Sequence, residues 1–324
     1  MLVSLLVAAL IFDFLNGFHD SANVVATVIS SQAMPPRLAL LLTAAAEFVG
    51  PFLFGVAVAT TVGRGLIDPG TVTPSVVLGA VLAAIAWNLV TWFFGIPSSS
   101  SHALVGGLLG AAAMAKGLNV IQVAGLQKVL IALFISPPLG LLAGLAIMRL
   151  TLFLAASASP RVNMLFKRLQ IATAVGLALS HGANDAQKTM GIITLGLVAG
   201  GALPVFQVPL WVVAASAGAI ALGTALGGWR LIRTLGGRIY KIRPIHGFTA
   251  QTASGAVILG AALLGGPVST TQVVSSAIMG AGAAERLSKV RWGVAREMLV
   301  AWGLTIPVTA GLAALAYLPI RGIA

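Results

Sequence analysis

Two short runs of hydroxyl side chains, each beginning shortly after a proline, are the first candidates for chemistry in this sequence. They lie in GIPSSSS at 95–101 and GGPVSTT at 265–271, each at the start of an apolar stretch. The free N–H groups and positive dipole of a helix N-terminus favour a bound anion. N-capping explains one hydroxyl per helix but not three or four in a row. We therefore predict a site for a small oxyanion, formed by Ser99, Ser100, Ser101, Ser269, Thr270 and Thr271.

Charged residues inside apolar segments are the second signal. They are Asp13, Asp20, Glu47, Asp185 and Lys188. Each costs roughly 2.5–3.5 kcal/mol at the centre of a bilayer on insertion scales, so the group costs on the order of 10 kcal/mol unless its members pair, take up protons or bind ions. We predict coupling to a cation. The alternative is a buried ion pair that only fixes helix register.

Asp20 and Asp185 stand in matching polar patches, NGFHDSAN at 16–23 and HGANDAQK at 181–188. We expect each patch to interrupt its helix and free backbone carbonyls, which together with carboxylates suit a hard cation. The residues assigned to cation or proton coupling are Asp20, Asp185, Glu47, Asn16 and Asn184. The residues that join the hydroxyl runs in binding the substrate are Asn23, Gln187 and Lys188.

The two patches differ where Lys188 takes the place of Asn23. The lysine ammonium can fill the space of a sodium ion, which leaves the coupling to protons on Asp20 or Glu47. A lysine that snorkels to the membrane interface is the alternative. Because phosphate keeps a proton at neutral pH, carboxylate acceptors favour it over sulfate. Arsenate has the same shape and protonation and is not distinguished.

Composition identifies the elements that must position these groups. Of 324 residues only 8% are charged, and Pro69–Ala115 contains no Asp, Glu, Lys or Arg. An ordinary soluble domain is about 25% charged, and a bilayer-spanning helix needs about 20 apolar residues. We therefore predict an all-α polytopic protein of the inner membrane. Cysteine is absent, and we expect no metal centre, no cofactor and, despite the net charge of +12, no nucleic-acid partner.

The positions of Lys and Arg predict the topology. Most of them lie in one set of loops, which the positive-inside bias assigns to the cytoplasm. The stretches 72–115 and 247–284 must then each enter and leave on one side, as re-entrant hairpins with the hydroxyl runs at their tips. The hairpins match at a spacing of 170 residues, as Pro97 does with Pro267. We predict two inverted repeats with broken helices, at 1–160 and 161–324, whose site lies at the midplane.

NGFHDSANVVAT, SHGANDAQKTMG, PSSSSHALVGG and PVSTTQVVSSA resemble the duplicated signatures of the PiT family of inorganic phosphate transporters. The resemblance spans the chain and implies a dimeric symporter that imports phosphate with a cation. The residues QK at 187–188, shortly after Asp185, resemble the bacterial proton-coupled branch of the family. The resemblance implies that the substrate includes a neutral metal–phosphate complex. A sodium-coupled phosphate symporter and a sulfate symporter of the same fold remain the alternatives.

Two other classes fit the residues less well. An enzyme would rest on Ser101-His102 or His19-Asp20, but adjacent residues on a helix do not face each other, so we expect neither pair to be a catalytic contact and predict no enzyme. A channel would give unitary currents, whereas a symporter would give saturable uptake that a protonophore abolishes.

Overall fold

The computed structural model describes residues 1–68 and 72–322, and these residues are almost entirely helical. Within them, the β-type pairing is a single bridge between Ile67 and Ile121. The helices are α1 (Leu2–Ser30), α2 (Pro36–Phe54), α3 (Ala57–Gly65), α4 (Pro74–Phe94), α5 (Ser100–Lys116), α6 (Val123–Leu154), α7 (Val162–Ala199), α8 (Leu210–Leu226), α9 (Trp229–Arg233), α10 (Pro244–Leu263), α11 (Thr270–Glu285) and α12 (Trp292–Ile320).

Six of the helices in the described ranges, α1, α2, α4, α6, α7 and α12, are long and apolar enough to cross a bilayer. A seventh candidate is the bent pair formed by α8 and Trp229–Arg238, with an angle of 60° at the break. The prediction of an all-α, multi-pass membrane protein is confirmed.

The helices of the two predicted hairpins break at equivalent residues. Pro74 and Pro244 begin α4 and α10. Gly95 and Gly265 follow their ends with φ of +67° and +69°, a conformation that glycine adopts without steric penalty. The chain then restarts as α5 and α11 at Ser100 and Thr270. These breaks lie at the predicted tips, whereas the inverted orientation of 1–160 and 161–324 stays a prediction.

Each hairpin packs closely against a long helix. A Cβ added at Gly110 of α5 would overlap the backbone of Ala310 in α12, and one at Gly280 of α11 would overlap Leu141 in α6. Small residues of this kind let helix backbones approach each other in membranes, where tight packing stabilises the bundle.

The predicted interruption of the helices at the polar patches is wrong. Both α1 and α7 continue through residues 16–23 and 181–188, because the polar side chains find partners on other helices. The chain breaks instead at Gly55, whose φ is +78°, and this break separates α2 from α3.

Candidate functional site

Lys188 lies at the centre of the site and joins α7 to both hairpin tips. Its side chain is 2% exposed. The ammonium donates to Asp185 Oδ1 at 2.5 Å, to Ser101 Oγ at 2.6 Å and to the Val268 carbonyl at 2.8 Å. Its three protons are thus directed at three oxygens, one from α7 and one from each hairpin. A carboxylate, a hydroxyl and a carbonyl are the ligands that a small hard cation prefers.

The matching position in α1 has a different arrangement around Thr271. Asn23 Nδ2 donates to Thr271 Oγ1 at 3.1 Å, and Thr271 donates to Asp20 Oδ1 at 3.0 Å. At this position the Asp20 carboxylate and the Thr271 hydroxyl are in direct contact, whereas at the other position the Lys188 ammonium lies between Asp185 and Ser101. The two polar patches therefore form two related positions, of which one holds the ammonium of a lysine.

Thr270 connects the two positions. Its hydroxyl lies 2.9 Å from Asp185 Oδ2 and 3.4 Å from Asp20 Oδ2. Both aspartates are buried, as are the tip residues. The structure thus brings the second hairpin tip and the two predicted aspartates into hydrogen-bond contact.

His181, Thr224 and Glu47 extend this cluster. His181 Nδ1 lies 2.9 Å from Glu47 Oε1, and Nε2 lies 3.4 Å from Asp185 Oδ2 and 3.9 Å from Asp20 Oδ2. Thr224 of α8 donates to Glu47 Oε2 at 2.5 Å. Sequence reasoning assigned no role to His181, although its place four residues before Asp185 puts both on one face of α7.

His19 and Asp20 are in contact, although adjacent side chains on a helix do not ordinarily face each other. His19 Nδ1 lies 2.8 Å from Asp20 Oδ1, because the imidazole is long enough to reach the adjacent carboxylate. The other adjacent pair is Ser101-His102, and His102 Nδ1 lies 2.7 Å from Ser99 Oγ instead.

The remaining predicted residues are the serines of the hairpin tips and the two asparagines Asn16 and Asn184 of the polar patches. Ser99 and Ser269 accept N–H groups of α5 and α11 as N-caps, and Ser100 follows the first cap. Asn184 Nδ2 donates to the Gly266 carbonyl at 3.1 Å. The side-chain oxygens of Asn184 and of the buried Asn16 have no hydrogen-bond partner within the described ranges.

The hydrogen bonds of Gln187, which we predicted to bind the substrate, go to α3 and α7 rather than to a hairpin tip. Its Oε1 accepts the N–H of Val58 at 2.8 Å, and its Nε2 donates to the Ala183 carbonyl at 2.6 Å. The side chain caps the first turn of α3 and holds it against α7. With these contacts occupied, we leave Gln187 out of the site proposed below.

Asp20, His181 and Asp185 are close enough to share one ion. Their ligand-type atoms all lie within 4.8 Å of one another. The arrangement thus offers hydroxyl, amide and ammonium donors for an oxyanion directly beside carboxylates that can hold a proton or a small cation.

Comparison with known proteins agrees with this geometry. The profile of the Phosphate transporter family matches residues 16–313. Two proteins named probable low-affinity inorganic phosphate transporter are similar along their whole length. The one from Rhizobium meliloti is 47% identical over 98% of this chain and 96% of its own. The one from Bacillus subtilis is 44% identical over 97% and 96%.

A solved structure named "The sodium-dependent phosphate transporter" has the same fold, with a TM-score of 0.90 and 25% identity over 100% of this chain and 99% of that one. The range that matches the family profile includes both polar patches and both hairpin tips. The chain therefore belongs to the Phosphate transporter family, the PiT family, and is a transporter rather than an enzyme.

Proposed function

We propose that this phosphate transporter is a secondary active symporter that imports inorganic phosphate across the inner membrane together with protons. The observation that carries the proposal is the position of Lys188. Its ammonium occupies a cation position formed by Asp185, Ser101 and Val268, so a mobile cation has no room there. The coupling proton then acts at Asp20 or Glu47, where its uptake neutralises a buried carboxylate.

In this proposal phosphate binds between the two hairpin tips. The residues that hold it are Asn23, Ser99, Ser100, Ser101, Lys188, Ser269, Thr270 and Thr271. The hydroxyls of Thr270 and Thr271 now donate to aspartates. To bind phosphate, they must turn from those carboxylates to the phosphate oxygens, while the helix N-termini of α5 and α11 add N–H donors.

Protonation of Asp20 couples proton binding to phosphate binding in this proposal. A protonated Asp20 is a weaker acceptor for Thr271 and no longer repels an anion, so proton binding and phosphate binding favour each other. His181 lies 3.9 Å from Asp20 and 2.9 Å from Glu47, and the side-chain oxygens of Asn16 and Asn184, which have no partner among the described residues, are free to accept a hydrogen bond from a protonated carboxyl group. Coupling of this kind requires that each ligand binds one conformation more tightly than the other.

The negative charge of Asp20, Asp185 and Glu47 also bears on the form of the substrate. A neutral complex of phosphate with a divalent metal ion would meet less repulsion there than the free anion. We therefore propose that the metal–phosphate complex is also transported. We further propose that the protein is a homodimer, as the family resemblance implies.

A sodium-coupled phosphate symporter is the second candidate, favoured by the sodium dependence that the name of the structural relative states. The oxygens of Asp20, Asn23 and Thr271 are of the kind that sodium prefers. A sulfate symporter of this fold is the third. The second candidate differs from the proton-coupled proposal in the ion gradient that drives uptake, and the third differs in the anion that is transported.

The test is uptake of labelled phosphate and labelled sulfate by the purified protein in proteoliposomes, with proton and sodium gradients imposed separately. The proposal predicts phosphate accumulation driven by an inward proton gradient and abolished by a protonophore, with sulfate excluded. Accumulation that needs sodium, or that prefers sulfate, would contradict it in favour of the second or third candidate.

A further inference from the structure

A groove of about 710 Å³ lies between α6 and α10, directly behind the second hairpin tip. Its walls are apolar side chains, among them Ile131, Ile135 and Leu139 of α6 and Val257 of α10, with Leu264 just after the end of α10. Several are open to the surroundings, such as Ile131 at 59% and Leu264 at 81% exposure. The groove therefore opens sideways from the helix bundle, toward the lipid.

The equivalent space beside the first hairpin is filled by side chains. The hairpins match at a spacing of 170 residues, which puts Trp87 of α4 in the place of Val257. The buried faces of α6 and α12 match at 169, which puts Thr305 in the place of Ser136. The Trp87 indole donates to Thr305 Oγ1 at 3.1 Å. A large ring thus fills beside the first hairpin the space that remains an open groove beside the second.

The groove has the length and the polarity of a lipid site. Its lining runs along α6 from Lys128 to Ala146, a helical rise of about 27 Å at 1.5 Å per residue, close to the roughly 30 Å of a bilayer's hydrocarbon core. Lys128 supplies the one charged side chain among the described lining residues. It is exposed and lies at the end that the loop charges predict to be extracytoplasmic.

A second basic residue, Arg64, lies about one helical turn from the threonine that Lys128 contacts. Lys128 Nζ is 3.4 Å from Thr61 Oγ1, and Arg64 follows three residues later on α3, on the same side of that helix. Apolar walls with two cations at one end complement a phospholipid with a negatively charged headgroup. We propose that an anionic phospholipid binds here, with an acyl chain along α6 and its phosphate at Lys128 and Arg64.

Such a lipid would brace the tip that forms the transport site. Gly266 and Val268 line the groove, and their carbonyls accept hydrogen bonds from Asn184 and Lys188. An acyl chain behind these residues takes the role that the Trp87 indole takes beside the first hairpin. Transport should therefore depend on anionic lipid, whichever ion drives it.

The experiment compares wild type with Val257→Trp, which supplies the missing indole, and with Leu150→Trp, an exposed residue of α6 outside the groove lining. Lipids that remain bound after purification are counted by native mass spectrometry. Phosphate uptake is measured in vesicles of phosphatidylcholine with and without phosphatidylglycerol, at the same phosphate concentration.

We expect wild type and Leu150→Trp to retain phosphatidylglycerol, and Val257→Trp to lose one lipid per chain and to transport equally well in both vesicles. Lys128→Gln should no longer retain phosphatidylglycerol in preference to phosphatidylcholine. Gly260→Val, which copies Val90 at the equivalent position, is a smaller filling variant in case the tryptophan prevents folding. Equal retention by wild type and the filled variants would refute the proposal, as would a dimer that the filled variants convert to monomers.

Discussion

Replacing Lys188 by Asn, the residue at the matching position 23, tests whether the ammonium acts as a built-in cation. The substitution leaves Asp185, which is fully buried, without its ion-pair partner and removes the donor to both hairpin tips. Breaking a buried ion pair in this way costs about 3–5 kcal/mol. At about 1.4 kcal/mol per factor of ten, the present tip arrangement should become less populated by roughly two to three and a half orders of magnitude.

The assay is phosphate uptake in proteoliposomes driven by a proton gradient, with and without sodium. Without sodium, we expect the rate of phosphate uptake by Lys188→Asn to be about a hundredfold or more below that of wild type. With sodium, uptake should partly recover, because the vacated position again offers a carboxylate, a hydroxyl, an amide oxygen and a carbonyl. Lys116→Asn, at the exposed end of α5, is the matched control and should behave as wild type. Unchanged uptake and unchanged pH dependence of Lys188→Asn would refute the reasoning.

Three further substitutions test other parts of the account. Thr271→Val removes a donor to a charged group, worth about 1.5–3 kcal/mol, so the KM for phosphate should rise about tenfold or more; the melting temperature should fall as well, because Thr271 donates to the buried Asp20 in this structure, and an unchanged KM would count against the substrate site. Glu47→Gln keeps the shape but removes the negative charge beside His181, so proton-driven uptake should slow, and a wild-type rate and pH profile would exclude Glu47 from coupling. Gly110→Ala meets backbone atoms and should lower the unfolding free energy by about 1–3 kcal/mol in thermal denaturation, whereas Gly176→Ala meets nothing within 4 Å and should not; equal stabilities would disprove the close packing.

The sequence was sufficient to predict the hairpin tips and their partners because those features are local or repeated. A proline, a glycine that suits a positive φ and a run of hydroxyls mark each tip within seven residues. The repeat of each motif then identified Asp20 with Asp185 and Asn23 with Lys188. That the tips contact these residues follows from the prediction that two matched halves meet at a common centre.

The parts that could not be predicted depend on contacts between distant helices. The neighbour of His181 is Glu47 on α2, and nothing in either local sequence specifies which helices pack together. Gln187 lies in the same polar patch as Asp185 and Lys188, yet its side chain caps α3. The helices also stay continuous through the polar patches, since side chains from other helices satisfy the polar groups that we expected to break them.

The absence of cysteine from the chain permits a direct measurement of the central claim, that phosphate binds between the two hairpin tips beside the aspartates. Ser100→Cys places a single thiol at the start of α5, next to the Ser101 that contacts Lys188. The rate at which a small thiol reagent labels this cysteine is measured in membranes at increasing phosphate or sulfate. We expect phosphate to slow labelling over the same concentration range that saturates uptake, and sulfate to leave the labelling rate unchanged. Labelling that is indifferent to saturating phosphate would contradict it.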